Sequence, residues 1–421
     1  MQSAPSPPPA RGTVAAASVC GIVVGLLRLA LAVALVLALA AGAAELSLRA
    51  GGVKPHRAAE LSNVVPDAWT AFRLRPDVGG QEAYVTNDLG MHAPRSYAPA
   101  PPPGTLRVAV LGSSVVYGLD VGFADTIPAA VERELRAAGR PAEALNFGTH
   151  AFNIVHVSAL LQAYVHQLRP HVVVVVVDIQ VGMPIWPEVR PRAEPTGGIK
   201  KLGWGQALLV RGSGRSALLG LLVDPRPARR WIRRTTGLPL RPRPHPTPRP
   251  VRAPRAPAPA AARTPDAVIT PLPPEQTRAY EERRERELAA PLSAMAAFAA
   301  EHSIELYFVT PYGPYFDPTD DELSRMSVHH LLEEATRVYG SERAALAAEV
   351  TLITRVVRRV ARGRPPRVID MLEASRSSSV RTSPHFTQDG VHLSPAGNAA
   401  LGKLIAARIL RDLDERRRDP S

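Results

Sequence analysis

One cysteine, Cys20, stands among 421 residues, so no intrachain disulfide can form. That says little about compartment, because many exported domains have none. Cys20 follows Ala17-Ser-Val. A valine directly before the cysteine makes a poor lipoprotein cleavage box, and the plain reading is a small buried apolar residue. No Gly-x-Ser-x-Gly turn occurs, which argues against the fold built around that nucleophile elbow. There is no internal repeat and no Cys/His cluster with metal-ligand spacing. Charge is almost missing from residues 14–44, where Arg28 is the only charged side chain.

That apolar stretch reads as a targeting segment. Its uninterrupted part, residues 29–44, has 16 residues, somewhat short of the roughly 20 needed to span a bilayer. Adding residues 20–27 makes it long enough, with Arg28 snorkelling or facing a partner. The expectation is an uncleaved anchor over residues 13–46. A cleaved signal peptide competes, because Ala41-Gly-Ala-Ala44 has the small residues of a cleavage site. Arg11 precedes the segment, while Arg49, Lys54 and Arg57 follow it, so flanking charge leaves orientation open. Residues 1–12, with four prolines, read as a disordered tail.

The net charge of +13 is concentrated. Residues 223–263 hold eleven arginines and one acid, Asp224, for a net +10. Residues 225–274 hold fifteen of the 43 prolines. The high isoelectric point therefore describes a low-complexity, extended segment over 224–274 and not a basic folded surface. Nucleic-acid binding is not expected. The segment reads first as a solvated linker. The sharper reading is that its arginines meet anionic lipid headgroups or an acidic glycan near a membrane.

Elsewhere strand and helix patterns alternate. Residues 45–105 are polar with weak periodicity, and Thr86-Asn-Asp-Leu-Gly-Met91 looks like a turn. Strands are expected at 106–111, 144–147, 172–177, 304–310 and 367–371, and helices at 126–139, 155–168, 275–300, 320–338, 342–361 and 395–414. Residues 172–177 are six consecutive valines. A strand apolar on both faces implies parallel neighbours covered by helices. The order argues a doubly wound parallel sheet, interrupted by an ordered insertion or lid over 183–223.

In such a sheet ligands bind beyond the C-terminal strand ends. Three loops fall there, Gly112-Ser-Ser114, Asn146-Phe-Gly-Thr-His-Ala-Phe-Asn153 and Asp178-Ile-Gln180, and Asp389-Gly-Val-His392 approaches the same edge. The residue types suit acyl transfer. A serine hydroxyl needs a base within hydrogen-bond reach. His392 can be that base, and Asp389 can fix its tautomer. Ser-Ser after a strand is otherwise ordinary loop chemistry, and Asp389 and His392 could be a turn cap and a surface residue. For His150 and His156 the plain reading is a satisfied or exposed histidine.

These segments resemble the SGNH hydrolase family, also called GDSL-type esterases. Leu111-Gly-Ser-Ser114-x-x-x-Gly118, Asn146-x-Gly148-x-x-Ala151-x-Asn153, residues 170–180 and Asp389-Gly-Val-His392-Leu-Ser-Pro-Ala-Gly397 are similar to its four blocks, the last most closely. The likeness covers roughly residues 85–182 and 276–412. It implies a three-layer α/β/α sandwich with a five-stranded parallel sheet, flavodoxin-like, preceded here by the transmembrane helix. It implies hydrolysis or transfer of ester groups, often acetyl on envelope glycans, with Ser114 as nucleophile, His392 as base and Asp389 as orienter. The oxyanion donors would be the Ser114 and Ala151 N–H groups and the Gln180 amide.

The chain departs from the family in four places. Ser113 stands where the family has Asp, Ala151 where it has the oxyanion Gly, Gln180 where it has Asn, and Val181 where an Asp often follows. Alanine can donate its N–H if its backbone need not adopt positive φ. Gln carries the amide on an arm one methylene longer, which overshoots unless the strand end shifts. Asp178 can substitute for a missing loop polar group but has no firm role.

The expected organisation is a tail (1–12), anchor (13–46), connector (47–105), hydrolase-like domain in two parts (106–182 and 275–414), lid or insertion (183–223) and Pro/Arg segment (224–274). No cofactor and no metal are expected. The expected partners are an ester-bearing glycan or lipid and the membrane, with the domain outside the cytoplasm. The competing reading is a catalytically silent protein that keeps the fold and binds a glycan or protein partner in the envelope.

Overall fold

The computed structural model describes residues 12–50, 64–79, 82–182, 192–193, 199–200, 216–219, 269–312, 315, 318–326, 331–362, 366–371, 386–387 and 390–418. The tail, almost all of the Pro/Arg segment and most of the insertion lie outside them. The chain forms two compact units.

The described residues of the first unit are 12–50 and 216–219. Helix α1 spans Gly12–Ala50. Within it Val24–Ala50 is long and apolar enough to cross a membrane, by length and composition. Leu26, Leu27, Leu29, Leu31 and Leu35 are all exposed, so the apolar surface is not confined to one stripe. Near its end Glu45 accepts hydrogen bonds from Ser216 Oγ at 2.7 Å, Ala217 N at 2.9 Å and Leu218 N at 2.8 Å. Leu48 packs on Ala217 beside them.

The second unit opens with an antiparallel hairpin, β1 (Val64–Asp67) and β2 (Ala71–Leu74). Then follow β3 (Leu106–Gly112), α2 (Ser114–Tyr117), α3 (Ile127–Ala137), β4 (Ala142–Gly148), α4 (Ile154–Ala163), β5 (Val172–Val176) and α5 (Ile179–Gly182). A two-residue ladder pairs β6 (Arg192–Ala193) with β7 (Ile199–Lys200). The remaining elements are α6 (Pro274–Glu301), β8 (Glu305–Val309), α7 (Asp320–Arg325), α8 (Glu333–Tyr339), α9 (Glu342–Val360), β9 (Arg367–Ile369) and α10 (Pro395–Arg418).

Five strands form one sheet in the order β4-β3-β5-β8-β9, every pair parallel. The expected parallel α/β sheet is therefore present. Its order is 2-1-3-4-5, and the direction of winding reverses between β3 and β5. Alternation along each strand divides the core. Val108, Val110, Val172 and Val174 face Ile127, Val131 and Leu135 of α3 and Leu401, Ile405 and Ile409 of α10. Ala109, Leu111, Val173 and Val175 are equally buried on the opposite face, where α4 meets β3 and α6 meets β8. Each buried valine contributes roughly 1.5–3 kcal/mol relative to exposure. That explains why a strand of valines alone is stable here.

The pattern over 320–338 predicts one helix, but the chain makes two. A capping box of Thr319 and Glu322 starts α7, and Met326 then turns extended at φ −62°, ψ 128°. Its side chain is buried and lies against Gly390 in the loop that carries His392. Tertiary packing has overridden local periodicity.

Residues 64–97 are more than a connector. Phe72 of β2 meets Phe152 edge-on at 5.2 Å, and Tyr164 OH donates to Asp67 Oδ2 at 2.6 Å. His92 is buried, with Nδ1 2.7 Å from Tyr117 O and Nε2 3.1 Å from Glu82 O. The stretch thus buttresses the loops at the C-terminal sheet edge.

Candidate active site

Ser114 follows β3 directly. Ser113 caps the short helix α2 through Val115 N at 3.3 Å, and Gly118 ends it at φ +81°. The end of β4 crosses close beneath: a Cβ on Gly148 would lie 1.9 Å from Tyr117 N, so only glycine fits. Thr149 N donates to Gly112 O at 3.2 Å, drawing the second loop against the first.

The structure brings Ser114, His392 and Gln180 together. His392 Nε2 lies 2.8 Å from Ser114 Oγ across 278 positions of sequence. Both side chains are buried, at 5% and 7% exposure. The His392 loop is held by Thr387 N donating to His392 O at 2.8 Å and by the bridge of Phe386 with Leu393. Asp389 lies outside the described residues.

Gln180 Oε1 lies 2.8 Å from Ser114 Oγ. The strand ends at Val176, and Gln180 reaches Ser114 from the first turn of α5. A serine hydroxyl has one proton. With that proton directed at His392, a half-turn of the amide presents the Gln180 NH2 to Ser114 Oγ.

Ala151 adopts φ +59°. The condition set from sequence, that alanine avoid positive φ there, is not met. The loop keeps the left-handed backbone with alanine in it, at a cost of about 1–2 kcal/mol. Among the described residues the Ala151 N–H has no hydrogen-bond acceptor, so it remains available as a donor.

Asp178, unassigned in the sequence, is buried and accepts from Ser113 Oγ at 2.7 Å and from Val181 N at 2.8 Å. Burial pushes its carboxyl above the usual range, against the hydrogen bonds from Ser113, Val181 and Gln180 and the nearby His392. A carboxyl missing at position 113 is thus supplied from the neighbouring strand. The sequence signal was the pairing of a departure at 113 with an unexplained acid at the end of the adjacent strand.

Behind α5, Arg284 Nη2 of α6 donates to Gly182 O at 2.5 Å and to Glu349 Oε2 at 3.1 Å. Tyr280 OH completes this buried group on Glu349 Oε1 at 2.5 Å. It fixes the C-terminal end of the helix that carries Gln180.

Two histidines flank Tyr117: His92 stacks at 4.5 Å between ring centres and His150 lies tilted at 4.2 Å. His156 caps α4 with Asn153, its Nδ1 2.7 Å from Asn153 Oδ1.

Ser114, His392 and Gln180 meet at the ends of β3 and β5, where the winding reverses and open α/β sheets bind ligands. A hydroxyl bonded to an imidazole beside amide donors can form and resolve an acyl intermediate.

No family model matches the chain, and no curated protein matches it significantly. Solved structures similar to it include a lipase/acylhydrolase from Enterococcus faecalis, 13% identical, covering 72% of this chain and 95% of that one at a TM-score of 0.37. Another is a variant of an acetyl-xylooligosaccharide esterase from Geobacillus, 12% identical, covering 72% and 94% at a TM-score of 0.36. At these scores the functional reading rests on the site's own geometry.

Proposed function

We propose that the chain is a membrane-anchored serine ester hydrolase or O-acyltransferase of SGNH type, acting on ester groups, acetyl above all, of envelope glycans or lipids. The observation that carries this reading is the 2.8 Å contact of Ser114 Oγ with His392 Nε2 at the topological switch point.

In the proposed reaction Ser114 Oγ attacks the acyl carbonyl while its proton passes to His392 Nε2. Asp389 orients the imidazole and stabilises its charged form. The oxyanion is held by the N–H groups of Ser114 and Ala151 and by the Gln180 amide. The intermediate collapses when His392 returns the proton to the leaving alcohol, which leaves an acyl-Ser114. Water or a second hydroxyl then enters by the same steps in reverse, giving hydrolysis or transfer. Helix α1 would hold the domain at the membrane, outside the cytoplasm.

Fluorophosphonate labelling of the full-length chain in detergent tests the reading. We expect labelling that disappears in Ser114→Ala and in His392→Ala. A well-folded wild type that takes no label would overturn it in favour of a silent binding protein.

A further inference from the structure

Gln180 meets Ser114 Oγ from an element that cannot hold itself in place. Helix α5 is a single turn, Ile179–Gly182, with Gly182 N donating to Asp178 O at 3.0 Å. A helix of that length has no stability of its own in water. The direction of the Gln180 amide therefore depends on what grips the turn from outside. At its start the grip is Asp178, whose Oδ1 accepts from Val181 N at 2.8 Å. At its end the grip is Arg284.

Arg284 lies on α6 and its side chain is 2% exposed. Its Nη2 donates to Gly182 O at 2.5 Å and to Glu349 Oε2 at 3.1 Å, and its Nη1 donates to Glu287 Oε2 at 2.8 Å. Glu349 is fully buried on α9, and its other oxygen accepts from Tyr280 OH at 2.5 Å. Tyr280 and Arg284 stand one turn apart on α6, as Glu349 and Ile353 do on α9. A Cβ on Gly182 would lie 2.3 Å from Ile353 Cδ1, so the backbone of α5 runs hard against α9. Two long helices thus converge on the last residue of α5.

The chemistry of this group suits register more than stability. Burying an ion pair loses in desolvation much of what the attraction returns, so apolar side chains would hold α6 to α9 as well. An apolar pair cannot direct a carbonyl, however. The carbonyls of a last helical turn have no partner within the helix, and the planar guanidinium fork donates along set directions. Arg284 aims one such donor at Gly182 O while Glu349 and Glu287 hold the rest of the fork still.

We infer that Arg284, held by Glu349 and Tyr280, is a positioning residue for the oxyanion donor: it fixes the end of α5 so that the Gln180 side chain meets Ser114 Oγ. It touches no reacting atom and acts through Gln180. The inference rests on the esterase reading above and on the place of Gln180 in it.

The test is a double-mutant cycle between positions 284 and 180 on the full-length chain in detergent, with p-nitrophenyl acetate as substrate. With Gln180 present, we expect Arg284→Met to lower kcat by about tenfold or more and to change KM by less than about threefold. In a Gln180→Ala background the same substitution should lower kcat by less than about threefold, because the group it positions is gone. Arg284→Lys keeps a charge beside Glu349 but not the fork, so its kcat should fall between wild type and Arg284→Met, again with little effect once Gln180 is removed. It carries the cycle if Arg284→Met does not fold. A role in stability alone lowers Tm and takes kcat down equally in both backgrounds. Equal losses in the two backgrounds, or wild-type kcat in the folded variants, overturn the inference. Gln180→Ala with wild-type kcat overturns it as well and leaves the Ser114–His392 esterase standing. A wild type that neither hydrolyses p-nitrophenyl acetate nor takes the fluorophosphonate label sinks both readings together.

Discussion

Ser113 Oγ donates to Asp178 Oδ2 across 2.7 Å, and this contact ties the residue before Ser114 to the segment that carries Gln180. Both partners are fully buried or nearly so. The bond joins the segments that follow two adjacent strands, β3 and β5, so Ser114 and Gln180 are placed by one fastening.

Breaking that fastening should cost stability and alignment together. Asp178→Ala leaves Ser113 Oγ and Val181 N without their acceptor. Each orphaned group costs about 1–3 kcal/mol. We expect a lower Tm by differential scanning calorimetry and a fall in kcat. Asp178→Asn, which keeps an acceptor oxygen, should lose less of both.

Gln180 makes its contact with Ser114 through an arm one methylene longer than that of asparagine. Gln180→Ala should lower kcat for p-nitrophenyl acetate by roughly 10²–10³, the effect of losing one oxyanion donor. Gln180→Asn should fail to restore activity, although asparagine is the residue the family resemblance leads one to expect. Steady-state kinetics decides it: full activity in Gln180→Asn would mean the α5 offset is not what positions the amide.

Ala151 at φ +59° carries a backbone penalty that glycine does not. Ala151→Gly should therefore raise unfolding stability by about 1 kcal/mol, less the extra chain entropy of glycine when unfolded. Urea denaturation at constant m measures it. A destabilised variant would show that the alanine methyl packs better than the backbone strain costs.

Acid should reveal His150. Burial, with His392 and His92 nearby, lowers it from 6.5 to about 3 in the folded state. Between those values the unfolded chain binds the proton and the folded chain does not. Stability from this group is full above pH 6.5 and is lost as pH falls towards 3, with a slope of at most about 1.4 kcal/mol per pH unit. Asp178 acts in the opposite sense: its raised carboxyl favours the folded state at low pH and loses that contribution as pH rises. Comparing wild type with His150→Gln isolates the histidine. The variant's acid limb should be flatter over this window in chemical denaturation curves. An unchanged limb would refute the neutral, buried assignment.

Much of this was legible in the sequence because it is local. Six valines in a row between helical patterns specify a central parallel strand, and Gly112-Ser-Ser114 marks a loop at a strand end. The approach of His392 to Ser114 was legible from strand order together with the resemblance of residues 389–397 to the family's last block. What escaped the sequence is non-local. The hairpin at 64–74 has little periodicity, because its contacts run to Phe152 and Tyr164 about eighty to one hundred positions away. The break after Arg325 reflects Met326 packing beneath Gly390, which no helix propensity records. The contact of Gln180 with Ser114 depends on where β5 stops, a boundary a valine run cannot mark.

Helix α5 ends at Gly182, two residues after Gln180, and α6 begins at Pro274. Arg284 of α6 donates to the Gly182 carbonyl, so the last turn of α5 and the body of α6 are tied together across 102 positions of sequence. The end of the helix that bears Gln180 is therefore set by a contact with α6, whatever length of chain runs between the two elements.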